Sequence, residues 1–312
     1  MSEENSTKSL TVLPSELWYK RKKLRKSDKF FICAMLAPPI LYFLIFWVYV
    51  NISSIMLAFQ DVMGNWSTVT LKVVISDFSL GDNSLLVAIC NTLLYFTSGI
   101  LMLPFQVVLA YFLYRKVKGY RVFRVIIYLP AIISGVVVAT AFQEFVRPDG
   151  PLGVILQKMG VKKVPFLLGD SRYATWTMVF YQMWMGWGGS MLLLGGALVR
   201  IPVEIFESAR IDGIGTGREL VQLVFPLLWS TLSTLLILNM TGLLTANGPV
   251  MLFTGGNYRT TTLAYWIYAK VVYAGKSAYN EVAATGLIFT LIGVPVILAL
   301  RKLVERIPVA EY

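Results

Sequence analysis

Six long stretches without Asp, Glu, Lys or Arg constrain the fold of this 312-residue chain more than any other feature. A bilayer core of about 30 Å needs about 20 consecutive apolar residues in a helix that crosses it. Only 14% of the residues are charged, against about a quarter in soluble domains. The sequence therefore predicts an all-α, polytopic membrane protein with six transmembrane helices. The most apolar parts lie at 32–50, 86–112, 125–143, 173–199, 227–244 and 282–300.

The distribution of positive charge predicts the orientation. An even number of spans puts both termini on one side, which carries nineteen Lys and Arg residues against nine on the other. Because cytoplasmic segments are enriched in Lys and Arg, we expect both termini in the cytoplasm. The external segment 144–172 carries five basic residues, so the bias is not uniform. The net charge of +11 is thus assigned to the membrane surface and not to nucleic acid.

The expected organisation is a basic cytoplasmic tail at 1–29, a first transmembrane segment at 30–60, a core at 85–303 and a cytoplasmic tail at 304–312. The first apolar run is too long for a cleavable signal, so we expect it to remain as an anchor. The chain has no histidine, which excludes imidazole bases and His-ligated metals. Cys33 and Cys90 each lie in an apolar run and are expected to be small buried residues. We therefore expect no catalytic residue and no metal site.

A cytoplasmic loop at 200–226 carries the most specific pattern. Pro202 suits the first turn of a helix, and Asp212-Gly213 predicts a turn that ends it. A second short helix is expected at about 218–224, followed by a kink at Pro226 as the next span begins. Helices this short are unstable alone in water. The residues alone leave two alternatives, which are docking on a partner or packing as a connector on its own bundle.

The loop resembles the EAA loop of ABC importer permeases, which reads Glu-Ala-Ala, three residues, Gly, nine residues, Ile-x-Leu-Pro. The matching positions are Glu207, Ser208 and Ala209, then Gly213, then Leu223, Phe225 and Pro226. Ser208, Leu223 and Phe225 are mild departures. The resemblance implies the type I ABC importer transmembrane fold and a coupling helix that sits in a groove of the ATPase. It assigns coupling to Glu207, Ser208, Ala209, Asp212 and Gly213.

The resemblance extends over roughly 85–300. Asn91-Thr92 and the segments 119–130 and 147–153 are similar to the family's shared core, and 253–268 resembles its sugar-uptake branch, apart from Asn257 where a proline is usual. It implies an oligosaccharide importer in a bacterial or archaeal cytoplasmic membrane. The implied partners are a second permease, two cytoplasmic ATPase subunits that bind ATP and Mg²⁺, and an external solute-binding protein. This chain itself is expected to bind no cofactor.

The fragment Gly275-Lys276-Ser277 does not complete a phosphate-binding loop. The full motif needs glycine at the position of Lys270. The segment also falls in a predicted external loop, where ATP is scarce. We therefore expect the chain not to hydrolyse ATP.

Candidate solute contacts lie in the fourth and fifth spans. Tyr181, Gln182, Trp184 and Trp187 could form an aromatic wall for a saccharide, although Trp and Tyr also occur at membrane interfaces. In the fifth span, Asn239 and Thr241 are mid-membrane polar side chains. They could contact solute or make helix–helix hydrogen bonds. The glycines of 186–196 predict close helix packing or a cavity wall.

Other functions remain as alternatives. An ion-driven secondary transporter would favour charged residues within the membrane, and the predicted span cores contain none. A membrane-embedded enzyme would need a general base or paired acids. The same importer could instead carry a polyol, glycerol phosphate or another small solute. The sequence does not identify the sugar, its linkage or its length.

Overall fold

The computed structural model describes residues 25–80 and 83–308. Residues 1–24 of the tail predicted at 1–29 and residues 309–312 of the tail predicted at 304–312 lie outside the described residues. Within the described ranges the chain is helical, with one isolated antiparallel bridge between Gln60 and Trp66 and no strand. The described residues fall into two compact units, one that ends at Ser54 and one that begins at Ile55.

The helices are named in chain order. They are α1 (Lys26–Phe43), α2 (Val50–Ala58), α3 (Val69–Leu80), α4 (Asn83–Tyr114), α5 (Tyr120–Ile132), α6 (Gly135–Val146), α7 (Pro151–Lys158), α8 (Ala174–Gly186), α9 (Met191–Arg200), α10 (Val203–Ile211), α11 (Thr216–Glu219), α12 (Phe225–Leu227), α13 (Trp229–Thr245), α14 (Val250–Phe253), α15 (Leu263–Ala274) and α16 (Tyr279–Glu305). Wider π-helical turns occupy Leu44–Tyr49 and Leu220–Val224, and a 3₁₀ turn occupies Gly275–Ala278.

Candidate membrane spans coincide with the uncharged stretches. Three are long helices, Lys26–Ala58, Ser84–Tyr114 and Leu263–Glu305. Three others are bent pairs, in which consecutive helices meet at 108°, 72° and 70°. The pairs are Tyr120–Ile132 with Gly135–Lys158, Ala174–Arg200 with Val203–Ile211, and Thr216–Leu227 with Trp229–Thr245. The described part therefore offers three spans, or six when each bent pair is counted as one.

The third predicted span at 125–143 is not one straight helix. Its bend follows α5, where Ile133 and Ser134 adopt extended backbone with ψ of 150° and 127°. Pro130 lies inside α5, so the interruption comes three residues after the proline.

Helix α4 is the centre of the second unit, and α8, α9, α13 and α15 pack against it. Two apolar clusters follow its length. One surrounds Val107 and Tyr111 and includes Leu194, Phe206 and Leu228. The other surrounds Tyr95 and includes Phe142, Met178, Tyr181 and Phe253. One helix thus joins the loop at 200–226 to the opposite end of the bundle.

Many large apolar side chains remain exposed on the isolated chain, including Leu101, Phe105 and Phe180 at about 60%. Exposure on this scale in a soluble monomer would be unusual, whereas lipid or a partner subunit can cover it. Cys33 and Cys90 are free thiols, and both are exposed. Their expected burial was therefore wrong. An apolar helix position facing lipid has the same sequence signature as one facing a protein core.

Candidate functional site

The loop at 200–226 folds as two short helices, α10 and α11, separated by a turn. Pro202 caps α10 at its start. At its end, Gly213 has φ of +73°, its amide donates to the Arg210 carbonyl at 3.1 Å, and the Ile214 amide donates to the Ala209 carbonyl at 2.9 Å. This pattern is the Schellman motif, in which glycine takes the left-handed position. The turn predicted at Asp212-Gly213 is confirmed.

One face of α10 is anchored and the opposite face is free. Phe206 and Ala209 are buried, and the Phe206 ring lies 5.6 Å from the Tyr114 ring at the end of α4. Burying a Phe side chain contributes about 1.5–3 kcal/mol. Glu207 and Ser208 are exposed on the other side. Ile211 is 86% exposed, so the free face includes an uncovered apolar side chain beside the acidic one.

The second short helix begins earlier than expected. α11 covers Thr216–Glu219 and passes into the π-helical turn Leu220–Val224. The prediction of a helix at about 218–224 was therefore right in its position and wrong in its start and geometry. Pro226 lies in α12, and the 70° bend follows that helix. Asp212 is exposed at the end of α10.

Glu219 is a functional candidate that the sequence interpretation missed. Its side chain is 1% exposed. The Tyr111 hydroxyl donates to its Oε1 at 2.9 Å, and the Arg115 guanidinium lies 3.5 Å from the same oxygen. Tyr111 is 108 residues away in sequence, so no local pattern could have paired them. The only signal in the sequence was the position of this acidic residue, which follows Gly215 and Gly217 and precedes the mainly apolar segment 220–225.

A basic groove lies beside these two short helices. Its volume is about 820 Å³, and its lining includes Arg115 and Lys116 from the end of α4 and Arg210 and Thr216 from the loop. No acidic side chain contributes to the lining. Arg210 and Thr216 place the groove beside the turn between α10 and α11.

The aromatic residues of the fourth span do not form one wall. Tyr181 is 5% exposed and packs against Phe142 and Phe253, with ring centroids 4.9 and 4.8 Å away. Trp184 is partly buried in the same cluster, whereas Trp187 packs against the other cluster. Trp187 follows the end of α8 at Gly186, so the predicted wall is divided between the two clusters.

Trp184 also lines an apolar groove of about 480 Å³ between α5, α6 and α8. The other lining residues are hydrocarbon or aromatic, and they include Pro130, Phe142 and Phe180. Gln182 lies elsewhere, with its Nε2 3.4 Å from the Tyr95 carbonyl oxygen of α4. A saccharide needs hydrogen-bonding partners. Among the side chains that line this groove, only Trp184 has a donor, its indole N–H.

The polar residues of the fifth span are bonded within their own helix. Asn239 Nδ2 donates to the Leu235 carbonyl at 2.9 Å, and Thr241 Oγ1 donates to the Leu238 carbonyl at 2.7 Å. Asn239 Oδ1 faces Gly99 of α4, where an added Cβ would approach it to 3.3 Å. Thr241 is exposed. Asn239 and Gln182 therefore both lie against α4.

Two α4 side chains, Asn91 and Gln106, bond to distant backbone. Asn91 Nδ2 donates to the carbonyls of Arg259 and Thr261, each at 2.8 Å. Gln106 Nε2 donates to the Gly186 carbonyl at 2.8 Å, where α8 ends. The sequence interpretation recognised Asn91 only as part of a resemblance.

Among the residues that the structure describes, no cluster of three or more Cys, Asp or Glu could hold a metal ion.

The family model for binding-protein-dependent transport system inner membrane components matches residues 91–308. The chain belongs to this family. The resemblance drawn from the EAA loop is thereby confirmed at the level of the family, and the permease is a membrane-embedded transport subunit. The matched range includes α10, α11 and the partners of Glu219.

Several curated relatives of the permease are named for sugar transport. The multiple sugar-binding transport system permease protein MsmF of Streptococcus mutans is 27% identical over 62% of this chain and 67% of its own. The arabinooligosaccharides transport system permease protein AraP of Bacillus subtilis is 28% identical over 86% of each chain. These relatives confirm the resemblance to the carbohydrate-uptake branch.

A solved bacterial ABC transporter involved in the import of the acidic polysaccharide alginate has the same fold. Its matched chain superposes with a TM-score of 0.77 at 21% identity, over 90% of this chain and 97% of that one. The all-α fold of an ABC importer transmembrane subunit is therefore confirmed for the permease.

Proposed function

We propose that the permease is one of two transmembrane subunits of an ATP-driven, binding-protein-dependent oligosaccharide importer. The observation that carries this proposal is the geometry of α10 within a family of transport subunits. Phe206 and Ala209 anchor the helix, and Glu207, Ser208 and Ile211 leave one face uncovered. A nine-residue helix with a free face needs a docking surface. The ATPase subunit supplies that surface.

The loop at 200–226 couples ATP hydrolysis in the ATPase subunits to movement of the permease. Two ATPase subunits bind ATP and Mg²⁺, and this chain holds no cofactor. Glu207, Ser208 and Asp212 contact the ATPase, Ala209 seats α10 on the bundle, and Gly213 fixes the turn. The basic groove formed by Arg115, Lys116 and Arg210 favours an acidic surface on that partner. Both termini and the loop face the cytoplasm.

The solute crosses between this chain and the second permease, after delivery by the external binding protein. The names of the relatives support an oligosaccharide. The partly exposed residues remain the candidate contacts, and they are Gln182, Trp184, Trp187 and Asn239. Tyr181 is buried and serves as a packing residue, and Thr241 is exposed on the isolated chain. Closure of the ATPases moves the spans as rigid bodies between outward and inward access.

Reconstitution tests this function. The permease is assembled in proteoliposomes with its second permease, the ATPases and the solute-binding protein. We expect uptake of a radiolabelled oligosaccharide only when ATP is inside the vesicles and the loaded binding protein is outside. A non-hydrolysable ATP analogue is the matched control. Uptake driven by an ion gradient without ATP would contradict the proposal and favour a secondary transporter.

Two further measurements on the same reconstituted components test the class of solute. Binding titrations of the solute-binding protein with arabino-oligosaccharides, maltodextrins, glycerol phosphate and polyols identify which class is delivered. We expect an oligosaccharide to stimulate ATP hydrolysis. Stimulation by a polyol or glycerol phosphate alone would keep the importer and reject the oligosaccharide.

A further inference from the structure

Glu219 is a charged side chain in the protein interior. It ends α11 and is 1% exposed. Moving a carboxylate out of water is costly, and its partners must offset that cost through hydrogen bonds and opposite charge. The position therefore needs an explanation that the apolar packing around it does not supply.

One partner of Glu219 lies in the last turn of α4 and the other directly follows it, with the Arg115 amide donating to the Tyr111 carbonyl at 2.8 Å. The Tyr111 hydroxyl donates to Oε1 at 2.9 Å, and Arg115 lies 3.5 Å from that oxygen. Tyr111 and Arg115 are four residues apart, so they share one helix face. The Arg115 guanidinium also lies over the Tyr111 ring, 5.8 Å from its centroid. The Glu219 carboxylate thus contacts the Tyr111 hydroxyl and the Arg115 guanidinium, which already lie beside each other.

Stability alone gives a poor account of this pair. Apolar replacement of a buried ion pair is often neutral or stabilising, and the loop already has apolar anchors in Phe206, Val224 and Leu228. Apolar contacts tolerate sliding, whereas a hydrogen bond to a buried carboxylate requires one distance and direction. The pair therefore fixes the register of α11 on α4.

A second contact connects α4 to the break in the fourth span. Gln106 precedes Tyr111 by five residues, which is about 7.5 Å along the helix axis. Its Nε2 donates to the Gly186 carbonyl at 2.8 Å, at the end of α8. α4 therefore holds the loop through Tyr111 and Arg115, and the break between α8 and α9 through Gln106.

We propose that Glu219 is a positioning residue that locks the loop to α4, so that a displacement of α10 and α11 moves α4 and reaches the end of α8 through Gln106. This inference rests on the proposed function, because it assigns the route by which motion of the ATPase enters the membrane. The lock consists of Glu219, Tyr111 and Arg115.

Two substitutions at Glu219 test the lock. Glu219→Gln keeps a similar shape and removes the charge, whereas Glu219→Leu replaces the buried group with hydrocarbon. The matched control is Glu281→Leu, which breaks the ion pair of Glu281 with Lys270 at 2.8 Å between α15 and α16. That pair lies outside the loop and the lock.

The first measurement is the amount of solute transported per ATP hydrolysed by the reconstituted complex. We expect Glu219→Leu to assemble and to keep ATP hydrolysis, with a lower melting temperature because Arg115 loses its partner. It should also lose about fivefold or more of this ratio, the lower end of typical coupling effects. Glu281→Leu should keep the wild-type ratio. A wild-type ratio in Glu219→Leu would overturn the proposal. If that variant does not assemble, the ratio in Glu219→Gln and Tyr111→Phe decides.

The second measurement needs neither ATP nor solute. Hydrogen exchange of the amides at 216–224 is followed in the purified permease. We expect faster exchange in Glu219→Gln and Glu219→Leu, and wild-type exchange in Glu281→Leu. Unchanged exchange in both Glu219 variants would overturn the lock. A wild-type complex that fails to transport would contradict the proposed function instead, and the exchange data would still decide whether Glu219 positions the loop.

Discussion

Gly188 and Gly189 are adjacent, but a side chain would have different surroundings at each. A Cβ added at Gly188 would lie 2.9 Å from the Ala131 Cβ and 3.0 Å from the Ile127 carbonyl oxygen, both in α5. A Cβ added at Gly189 would have no neighbour within 4 Å. Gly188 therefore permits the close approach of α5 to the break after α8, whereas Gly189 is open.

We expect Gly188→Ala to destabilise the permease and Gly189→Ala to leave it unchanged. Overpacking of this kind costs about 1–3 kcal/mol, which corresponds to roughly 2–10 °C in a domain of this size. The melting temperature of the detergent-purified protein measures both. Equal melting temperatures for the two variants would contradict the close contact with α5.

These glycines also show what the sequence reveals about single residues. The dense glycine set at 186–196 predicted close packing or a cavity wall, and Gly188 packs closely while Gly186, Gly189, Gly195 and Gly196 have open space around them. A glycine in the sequence indicates a missing side chain. Which glycine has a neighbour depends on α5, more than fifty residues earlier in the chain.

At the scale of elements, the end of α10 depends on backbone conformation. Gly213 has φ of +73°, whereas Gly215 has φ of −72°, and neither would bring a Cβ within 4 Å of other atoms. The left-handed region costs an L-residue about 1–2 kcal/mol. The two glycines thus differ in the sign of φ while sharing one exposed turn.

We expect Gly213→Ala to loosen the turn and Gly215→Ala to leave it unchanged or more rigid, since alanine restricts the unfolded chain at a compatible position. A cost of about 1 kcal/mol raises hydrogen exchange about fivefold. Exchange of the amides at 203–214 in the purified permease measures this difference. Faster exchange in Gly215→Ala than in Gly213→Ala would contradict the assignment of the turn.

The helices themselves were largely predictable, whereas their bends were not. Uncharged runs located each candidate span because a bilayer core excludes charge from helices that cross it. The bend after α5 occurs at Ile133 and Ser134, residues that carry no strong local signal. α12 and α13 likewise meet at Leu228, two residues beyond Pro226. Packing between helices sets such angles, and packing partners are distant in sequence.

At the scale of the whole molecule, α4 contacts segments that are distant in the sequence, and no sequence pattern predicts these contacts. Asn91 ties its start to the backbone at Arg259, and Tyr111 ties its end to Glu219. The loop was predictable because its residue types lie at fixed local spacing. The lock was not, because it pairs positions more than a hundred residues apart. An acidic residue in a cytoplasmic loop is ordinarily solvated, so burial at Glu219 had no local signal.

The orientation of the molecule gives the last prediction, and it rests on charge alone. Nineteen basic residues lie on the side assigned to the cytoplasm and nine on the other, although 144–172 carries five of those nine. Ser208 in α10 and Ser171 before α8 are both exposed, on the two predicted sides. They are therefore suitable positions for single cysteines in a chain carrying Cys33→Ala and Cys90→Ala.

In cells that express the permease without its ATPase subunits, we expect a membrane-impermeant maleimide to label Ser171→Cys while the cells are intact. Ser208→Cys should be labelled only after the membrane is permeabilised. The reason is that loops rich in Lys and Arg stay on the cytoplasmic side during insertion. The chain carrying only Cys33→Ala and Cys90→Ala is the background control. Labelling of Ser208→Cys from outside intact cells would invert the topology, and it would remove the loop at 200–226 from the reach of any cytoplasmic ATPase.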